Sequence, residues 1–214
     1  MMKKRPRRLY IVEYLITPDR RIENGAVLCE DERILAVGGV SAFAQEPEVE
    51  VRRFDNAYMT PGFIDTHIHG AGGFDCSSVE ISPHPIEEMS RILAERGVTT
   101  FFPTVVASPH EEMLRNLELL ADRMNGSLPG AAASGINIEG PFINPCKRGA
   151  QQQESIVPID LGFAGELVAA GKGLVKVMTF APELDRSAEL VEFLVDHGVK
   201  PSMGHSVANE QQTL

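Results

Sequence analysis

The chain has 214 residues, of which 43% are hydrophobic and 23% charged, with a formal net charge of −10. This composition is typical of a globular protein with one large domain or two small ones, and the acidic balance argues against a nucleic-acid partner. No stretch approaches the ~20 apolar residues of a membrane span, and the three scattered cysteines fit a reducing cytoplasm better than a disulfide framework. We therefore predict a cytoplasmic protein that binds neither nucleic acid nor membrane.

The first segment, residues 1–57, is predicted to be a small β module. It contains the runs LYIVEYLIT (9–17), GAVLCEDERILAVGG (25–39) and VEVRRFD (49–55), none of which has a helical period. A polar turn at Glu30–Arg33 divides the second run into two strands.

From Pro61 onward the pattern alternates between strand and helix. The predicted strands are 62–67, 98–107, 134–139, 174–180 and 199–205, and the predicted helices are 85–97, 108–125, 160–171 and 185–198, with a further helix beginning after residue 205. In the second helix, Ser108 is predicted as the N-cap, followed by Pro109 at the first helical position and Glu111 two residues later. Repeated βα units with apolar strands predict a parallel sheet, and both a doubly wound sheet and a (β/α)8 barrel fit this pattern.

Four residues with metal-ligand chemistry occur where predicted strands end. His67 and His69 end the first of these strands, Glu139 ends the third and His205 ends the fifth. The carboxyl ends of parallel strands meet at one face, and residues 67 and 69 have the same parity, so their side chains point the same way. Imidazole and carboxylate together suit Zn²⁺ or Fe²⁺, although a single histidine at a strand end is also an ordinary loop residue. We assign no chemistry to the histidines at predicted helix termini, His84, His110 and His197.

Several motifs resemble a known family. PGFIDTHIHG (61–70) resembles the first-strand signature of the amidohydrolase superfamily, and IEGPFINPCKRGAQ (138–151), TFAPE (179–183) and MGHS (203–206) are similar to the N-acetylglucosamine-6-phosphate deacetylase family within it. The resemblance implies an α/β fold. Residues 58–214 would form a partial (β/α)8 TIM-type barrel of about five βα units, and residues 1–57 part of a small β-sandwich.

The resemblance also implies a metal site. Glu139 would be a ligand, and His205 would be the first of two histidine ligands on successive strands. His67 and His69 match positions that bind a further metal in some members of the family and are replaced in others. The expected cofactor is therefore one or two divalent ions, Zn or Fe.

The implied reaction is hydrolysis of the N-acetyl group of N-acetylglucosamine 6-phosphate. Ala150 and Gln151 match the loop that contacts this amino-sugar phosphate, while Asn137 departs from the histidine expected in the family motif. The resemblance implies a homodimer for the full-length protein. The aspartate that acts as general base is expected beyond residue 214, so we predict that the 214-residue chain alone has no deacetylase activity.

Two alternatives stay open. A cyclic amidase of the dihydroorotase or hydantoinase type would share the H-x-H motif but use a carboxylated lysine, for which Lys176 is the candidate. The chain could instead be a non-catalytic fragment that needs a complementing chain.

Overall fold

The computed structural model describes residues 6–46, 48–77 and 85–213, and His84 lies outside these ranges. By its contacts the chain divides into two compact units, Met1–Pro61 and Gly62–Leu214. This division falls a few residues after the boundary at residue 57 that the sequence predicts. What each unit contributes to the function of the protein stays a prediction.

The described part of the first unit is a four-stranded sheet. Its strands are β1 (Arg7–Ile16), β2 (Arg21–Glu30), β3 (Arg33–Gly39) and β4 (Glu50–Met59), and a 3-10 turn, Val40–Phe43, follows β3. The strand order is β3-β2-β1-β4, with β4 parallel to β1 and the other pairs antiparallel. Side chains of β1 are buried in two apolar clusters, Leu9 and Ile11 in one, Val12 and Leu15 in the other, and the register of the strand shifts between Val12 and Tyr14. The prediction of a small β module is confirmed.

The second unit alternates strands and helices. Its elements are β5 (Phe63–Ile68), β6 (Gly70–Ala71), β7 (Phe74–Asp75), α1 (Pro85–Glu95), β8 (Val98–Val106), α2 (His110–Met124), β9 (Ala132–Ala133), β10 (Ile136–Glu139), α3 (Leu161–Ala170), β11 (Val175–Phe180), α4 (Ser187–Asp196), β12 (Lys200–Met203) and α5 (Glu210–Thr213). Two 3-10 turns, Pro145–Lys147 and Gln153–Ser155, lie between β10 and α3.

The main strands of this unit form one parallel sheet in the order β12-β11-β10-β8-β5, and the short β9 also pairs with β8. Helices follow the strands in chain order, as in successive βα units of a barrel. The prediction of a partial TIM-type barrel is therefore confirmed.

Helix packing follows from the spacing of apolar residues. In α2 the buried apolar side chains lie three, four or seven residues apart, apart from the adjacent pair Leu120 and Ala121, and so occupy one face of the helix: Met113, Leu117, Leu120, Ala121 and Met124. That face packs into the main hydrophobic core of the unit. No helix within the described ranges has the length and apolar character needed to cross a membrane.

The start of α2 differs from the predicted capping box. The structure has Pro109 at the N-cap in an extended conformation (φ −50°, ψ 143°), and the helix begins at His110. Ser108 therefore lies one residue too early to cap, and its buried hydroxyl has no hydrogen-bond partner in the described structure. Glu111 becomes the second helical residue rather than the third. The prediction of Ser108 as the N-cap is wrong because the proline does not adopt helical geometry.

Candidate metal centre

Three imidazole rings converge on the Glu139 carboxylate. Glu139 is the last residue of β10 and is only 8% exposed. The Nε2 atoms of His67 and His205 lie 3.3 Å and 2.9 Å from its Oε1, and the Nε2 of His69 lies 3.3 Å from its Oε2. The structure thus brings together all four residues that the sequence places at strand ends.

The rings change the electrostatics of this carboxylate. Burial acts to raise the pKa of Glu139, but hydrogen bonds from His69 and His205 and the charge of His67 outweigh it and lower the pKa to about 2. The hydrogen bond between His69 and Glu139 also raises the pKa of His69. Burial acts to lower this pKa, but the bond to Glu139 and a backbone bond at Thr104 outweigh it. Glu139 is therefore ionised throughout the neutral range.

The carboxyl end of β5, which carries His67 and His69, is held by side chains from β8 and β10. Ile68 is in register with Pro103 of β8, which has no amide hydrogen to donate. Here the Ile68 N–H donates to Thr104 Oγ1 at 3.0 Å, and Asn137 Nδ2 donates to the Thr66 carbonyl at 3.0 Å. These two side chains thus bond the backbone of β5 where the ladder is irregular.

Asn137 is the residue at which the sequence departs from the family motif. Besides Thr66, its Nδ2 lies 3.4 Å from Nδ1 of the His67 ring, and its buried Oδ1 has no partner in the described structure. Sequence reasoning gave Asn137 no role. Two features of the sequence could have pointed to this support: Pro103 inside a predicted strand, and Asn137 at a position that departs from the motif.

His205 lies two residues beyond the end of β12 at Met203, rather than within the predicted strand. Its backbone is left-handed, with φ +50°. Its Nδ1 contacts the Lys147 carbonyl at 2.7 Å, and its own carbonyl accepts from the Asn144 N–H at 3.0 Å. Because Nδ1 is engaged by this carbonyl, Nε2 is the ring nitrogen that faces Glu139.

The donor set fits a divalent cation. One nitrogen each from His67 and His69 and one oxygen of Glu139 all lie within 4.8 Å of one another. Imidazole nitrogens and carboxylate oxygens are the ligands that Zn²⁺ and Fe²⁺ take in proteins, and the carbonyl bonded to the far side of His205 is a usual support for such a ligand.

The two predicted substrate-contact residues have different surroundings. Ala150 is exposed, whereas Gln151 is buried and its Oε1 accepts from the Ala107 N–H at 3.1 Å. The Gln151 Nε2 is buried without a hydrogen-bond partner in the described structure. The Gln151 side chain thus links its loop to the end of β8, and the substrate contacts stay a prediction.

Lys176 is not brought to the site. It is the second residue of β11, near the amino end of the strand, and its Nζ donates to the Gly173 carbonyl at 2.9 Å. The metal-type residues lie at the opposite, carboxyl ends of the strands. This placement disfavours a bridging role for Lys176.

Comparison with known proteins identifies relatives over nearly the whole chain. It is 34% identical to N-acetylglucosamine-6-phosphate deacetylase of Bacillus subtilis over 199 residues, covering 91% of this chain and 49% of that protein. It is 29% identical to N-acetylgalactosamine-6-phosphate deacetylase of Escherichia coli O157:H7, covering 86% of this chain and 48% of that protein. Among solved structures, it is similar to an N-acetyl-D-glucosamine-6-phosphate deacetylase mutant from Mycobacterium smegmatis in complex with N-acetyl-D-glucosamine-6-phosphate. The TM-score is 0.86 and the identity 29%, over 97% of this chain and 52% of that one.

The chain spans about half the length of the curated relatives it matches. Its residues 58–201, which include Glu139 and the H-x-H pair, match the sequence model of the amidohydrolase family. The chain therefore belongs to the amidohydrolase family.

Proposed function

We propose that this chain forms the metal-binding part of a deacetylase that hydrolyses N-acetylglucosamine 6-phosphate to glucosamine 6-phosphate and acetate. The observation that carries the proposal is the convergence of three imidazoles on the single buried carboxylate of Glu139 at the carboxyl face of the sheet. The substrate class is supported by the similarity to deacetylases of amino-sugar phosphates.

We propose that Glu139, His205, His67 and His69 hold one or two divalent ions, Zn²⁺ or Fe²⁺. When bound, such an ion would act as a Lewis acid that polarises the acetyl carbonyl and lowers the pKa of a nearby water to about 7. Glu139 would neutralise part of the ion's charge. The bond from the Ile68 N–H to Thr104 holds the backbone between His67 and His69, and the Lys147 carbonyl holds the His205 ring.

The general base is a different group. Both oxygens of the Glu139 carboxylate contact imidazoles, and we propose that this group holds the metal, so it is not free to take a proton from water and pass it to the leaving amine. We propose that an aspartate outside these 214 residues serves as the base, as the family resemblance implies. Ala150 and Gln151 are proposed to contact the amino sugar.

The proposal also covers the cellular compartment and the oligomeric state of the protein. We propose a cytoplasmic enzyme that acts as a homodimer in its full-length form. Three cysteines that form no disulfide, Cys29, Cys76 and Cys146, support a reducing compartment.

The metal site is tested by the metal content of the purified chain. We expect one or two Zn²⁺ or Fe²⁺ ions per chain by elemental analysis, and at least a tenfold loss of affinity in His69→Ala and Glu139→Gln. His197→Ala is the matched control, because this imidazole bonds the Phe193 carbonyl at the end of α4, away from the site. A metal content equal in all four proteins would overturn the assignment.

The reaction is tested by acetate release from N-acetylglucosamine 6-phosphate. We expect no turnover by the 214-residue chain and turnover when the carboxyl-terminal half of a related deacetylase is co-expressed with it. N-acetylgalactosamine 6-phosphate is the comparison substrate, since one relative carries that name. Turnover by the isolated chain would refute the proposal that the general base lies outside these 214 residues. A metal-loaded complex that is inactive on both sugars would favour the non-catalytic alternative.

A further inference from the structure

Glu183 ends the TFAPE motif and lies in the loop after β11, where the proposed reaction gives it no role. Its carboxylate accepts three hydrogen bonds: Asn144 Nδ2 donates to Oε1 at 2.9 Å, the Val207 N–H to the same oxygen at 2.8 Å, and Ser206 Oγ to Oε2 at 2.5 Å. A carboxylate with this many donors is fixed in orientation.

The three donors come from two other loops of the same face. Asn144 follows β10, and Ser206 and Val207 follow β12, so one side chain of the middle loop joins the loops on both sides of it. Burial acts to raise the pKa of Glu183, but the bonds from Ser206, Val207 and Asn144 outweigh it and lower the pKa. The link is therefore made by the ionised form at neutral pH.

These bonds surround His205 without touching its ring. Ser206 and Val207 follow His205 directly in the chain, and the Asn144 N–H donates to the His205 carbonyl at 3.0 Å. The left-handed backbone of His205 is unfavourable for a residue with a β-carbon and persists only where its surroundings hold it. The segment 205–207 is thus tied to the Glu183 carboxylate at both ends. The His205 carbonyl is linked to it through Asn144, and the Val207 N–H bonds it directly.

We propose that Glu183 is a positioning residue that holds the His205 ring against Glu139 by fixing the loops after β10 and β12. Its catalytic meaning rests on the proposed metal-dependent function. The geometric claim does not, because it concerns where the ring lies in the protein without metal.

The first test measures ring position in the metal-free chain by NMR. The Cε1 atom of His205 approaches Gly149, within 3.6 Å of where a β-carbon would stand. We therefore expect a nuclear Overhauser contact between the His205 Hε1 and the Gly149 α-protons. We expect it to persist in Glu183→Gln, which keeps two acceptor bonds and can donate to Ser206, and to disappear in Glu183→Ala.

The second test measures amide hydrogen exchange at Asn144 and Val207, whose N–H groups bond the His205 carbonyl and Glu183. We expect exchange at least tenfold faster in Glu183→Ala, with no change in residues 136–139 of β10. Asp185→Asn is the matched control, because it removes the same charge from the same loop but none of these bonds. If Glu183→Ala does not fold, Ser206→Ala removes one of the three bonds and is expected to shift both readouts in the same direction by less.

The third test measures the affinity of each chain for Zn²⁺ by competition with a chelator. Loss of an outer support of a metal ligand typically weakens affinity 10–100-fold, which we expect for Glu183→Ala, with Glu183→Gln within about threefold of the parent chain. An unchanged Hε1 contact and unchanged exchange in Glu183→Ala would overturn the positioning role. A moved ring with unchanged Zn²⁺ affinity would overturn its link to the metal. A parent chain that binds no Zn²⁺ would refute the proposed function, while the first two tests still decide the position of His205.

Discussion

The charge of Glu139 makes the stability of the metal-free chain depend on pH, and the substitution Glu139→Gln removes this contribution. In the folded chain its pKa is about 2, against an ordinary value of 4.5. A depressed carboxyl pKa stabilises the fold fully above the unfolded value, and this stability is lost as the pH falls toward the folded value. For this group alone, the difference in stability between the parent chain and Glu139→Gln, both treated with chelator, should therefore be largest above pH 4.5.

The size of the effect follows from linkage. Integrating between the two pKa values gives a loss of about 2 kcal/mol between pH 5.5 and pH 3 for this one group. His69 contributes with the opposite sign. Its pKa is raised by Glu139, so its stabilisation is present below the ordinary value of 6.5 and is lost as the pH rises through the folded value. The stability difference between the two chains should peak between about pH 5 and 6.5.

Urea unfolding at pH 3, 5.5 and 8 measures this difference directly. We expect the free energy of unfolding of the parent chain, minus that of Glu139→Gln, to shrink by about 2 kcal/mol from pH 5.5 to pH 3 and to decrease again at pH 8. Other carboxyl groups titrate equally in both chains and cancel. A difference that stays constant within about 0.5 kcal/mol across the three pH values would refute the electrostatic account of this cluster.

Other perturbations test separate parts of the structure. Thr104→Val should cost about 1–3 kcal/mol in urea unfolding, because it leaves the Ile68 N–H without its acceptor; a cost near zero would contradict this. Gly140→Ala should cost about 1–3 kcal/mol, since Gly140 has φ +90° and a β-carbon would stand 3.2 Å from Gln151 Oε1; equal stability would show that the turn adjusts. Leu120→Ala should cost about 2–5 kcal/mol and lower the Tm, because Leu120 is fully buried. Zn²⁺ at about 100 times its Kd should stabilise the chain by about 2.7 kcal/mol, and an added chelator should remove this stabilisation.

The convergence of His67, His69, Glu139 and His205 could be predicted from the sequence because the direction of parallel strands alone brings their carboxyl ends together. What could not be predicted is how these side chains are supported. The links from Asn137 to Thr66 and from Asn144 to Glu183 join residues 71 and 39 positions apart, which no local pattern indicates.

Local backbone conformation accounts for the differences in detail. The capping box at Ser108 has the expected residue types but fails because Pro109 is extended rather than helical. His205 was expected inside a strand, but it lies in a left-handed turn after Gly204. Both differences depend on φ and ψ at single residues, which residue type restricts without determining.

The irregular pairing at Pro103 also determines when the site can form during synthesis. The end of β5 that lies beside Pro103 takes one bond from Thr104 of β8 and another from Asn137 of β10. Asn137 follows its partner Thr66 by 71 residues. A nascent chain that has exposed only residues up to Pro103 lacks both supporting side chains, Thr104 and Asn137. His67 and His69 are therefore brought into place only after β10 has left the ribosome and docked. A metal ion would meet the full set of donors later still, once His205, which follows β12, has joined them.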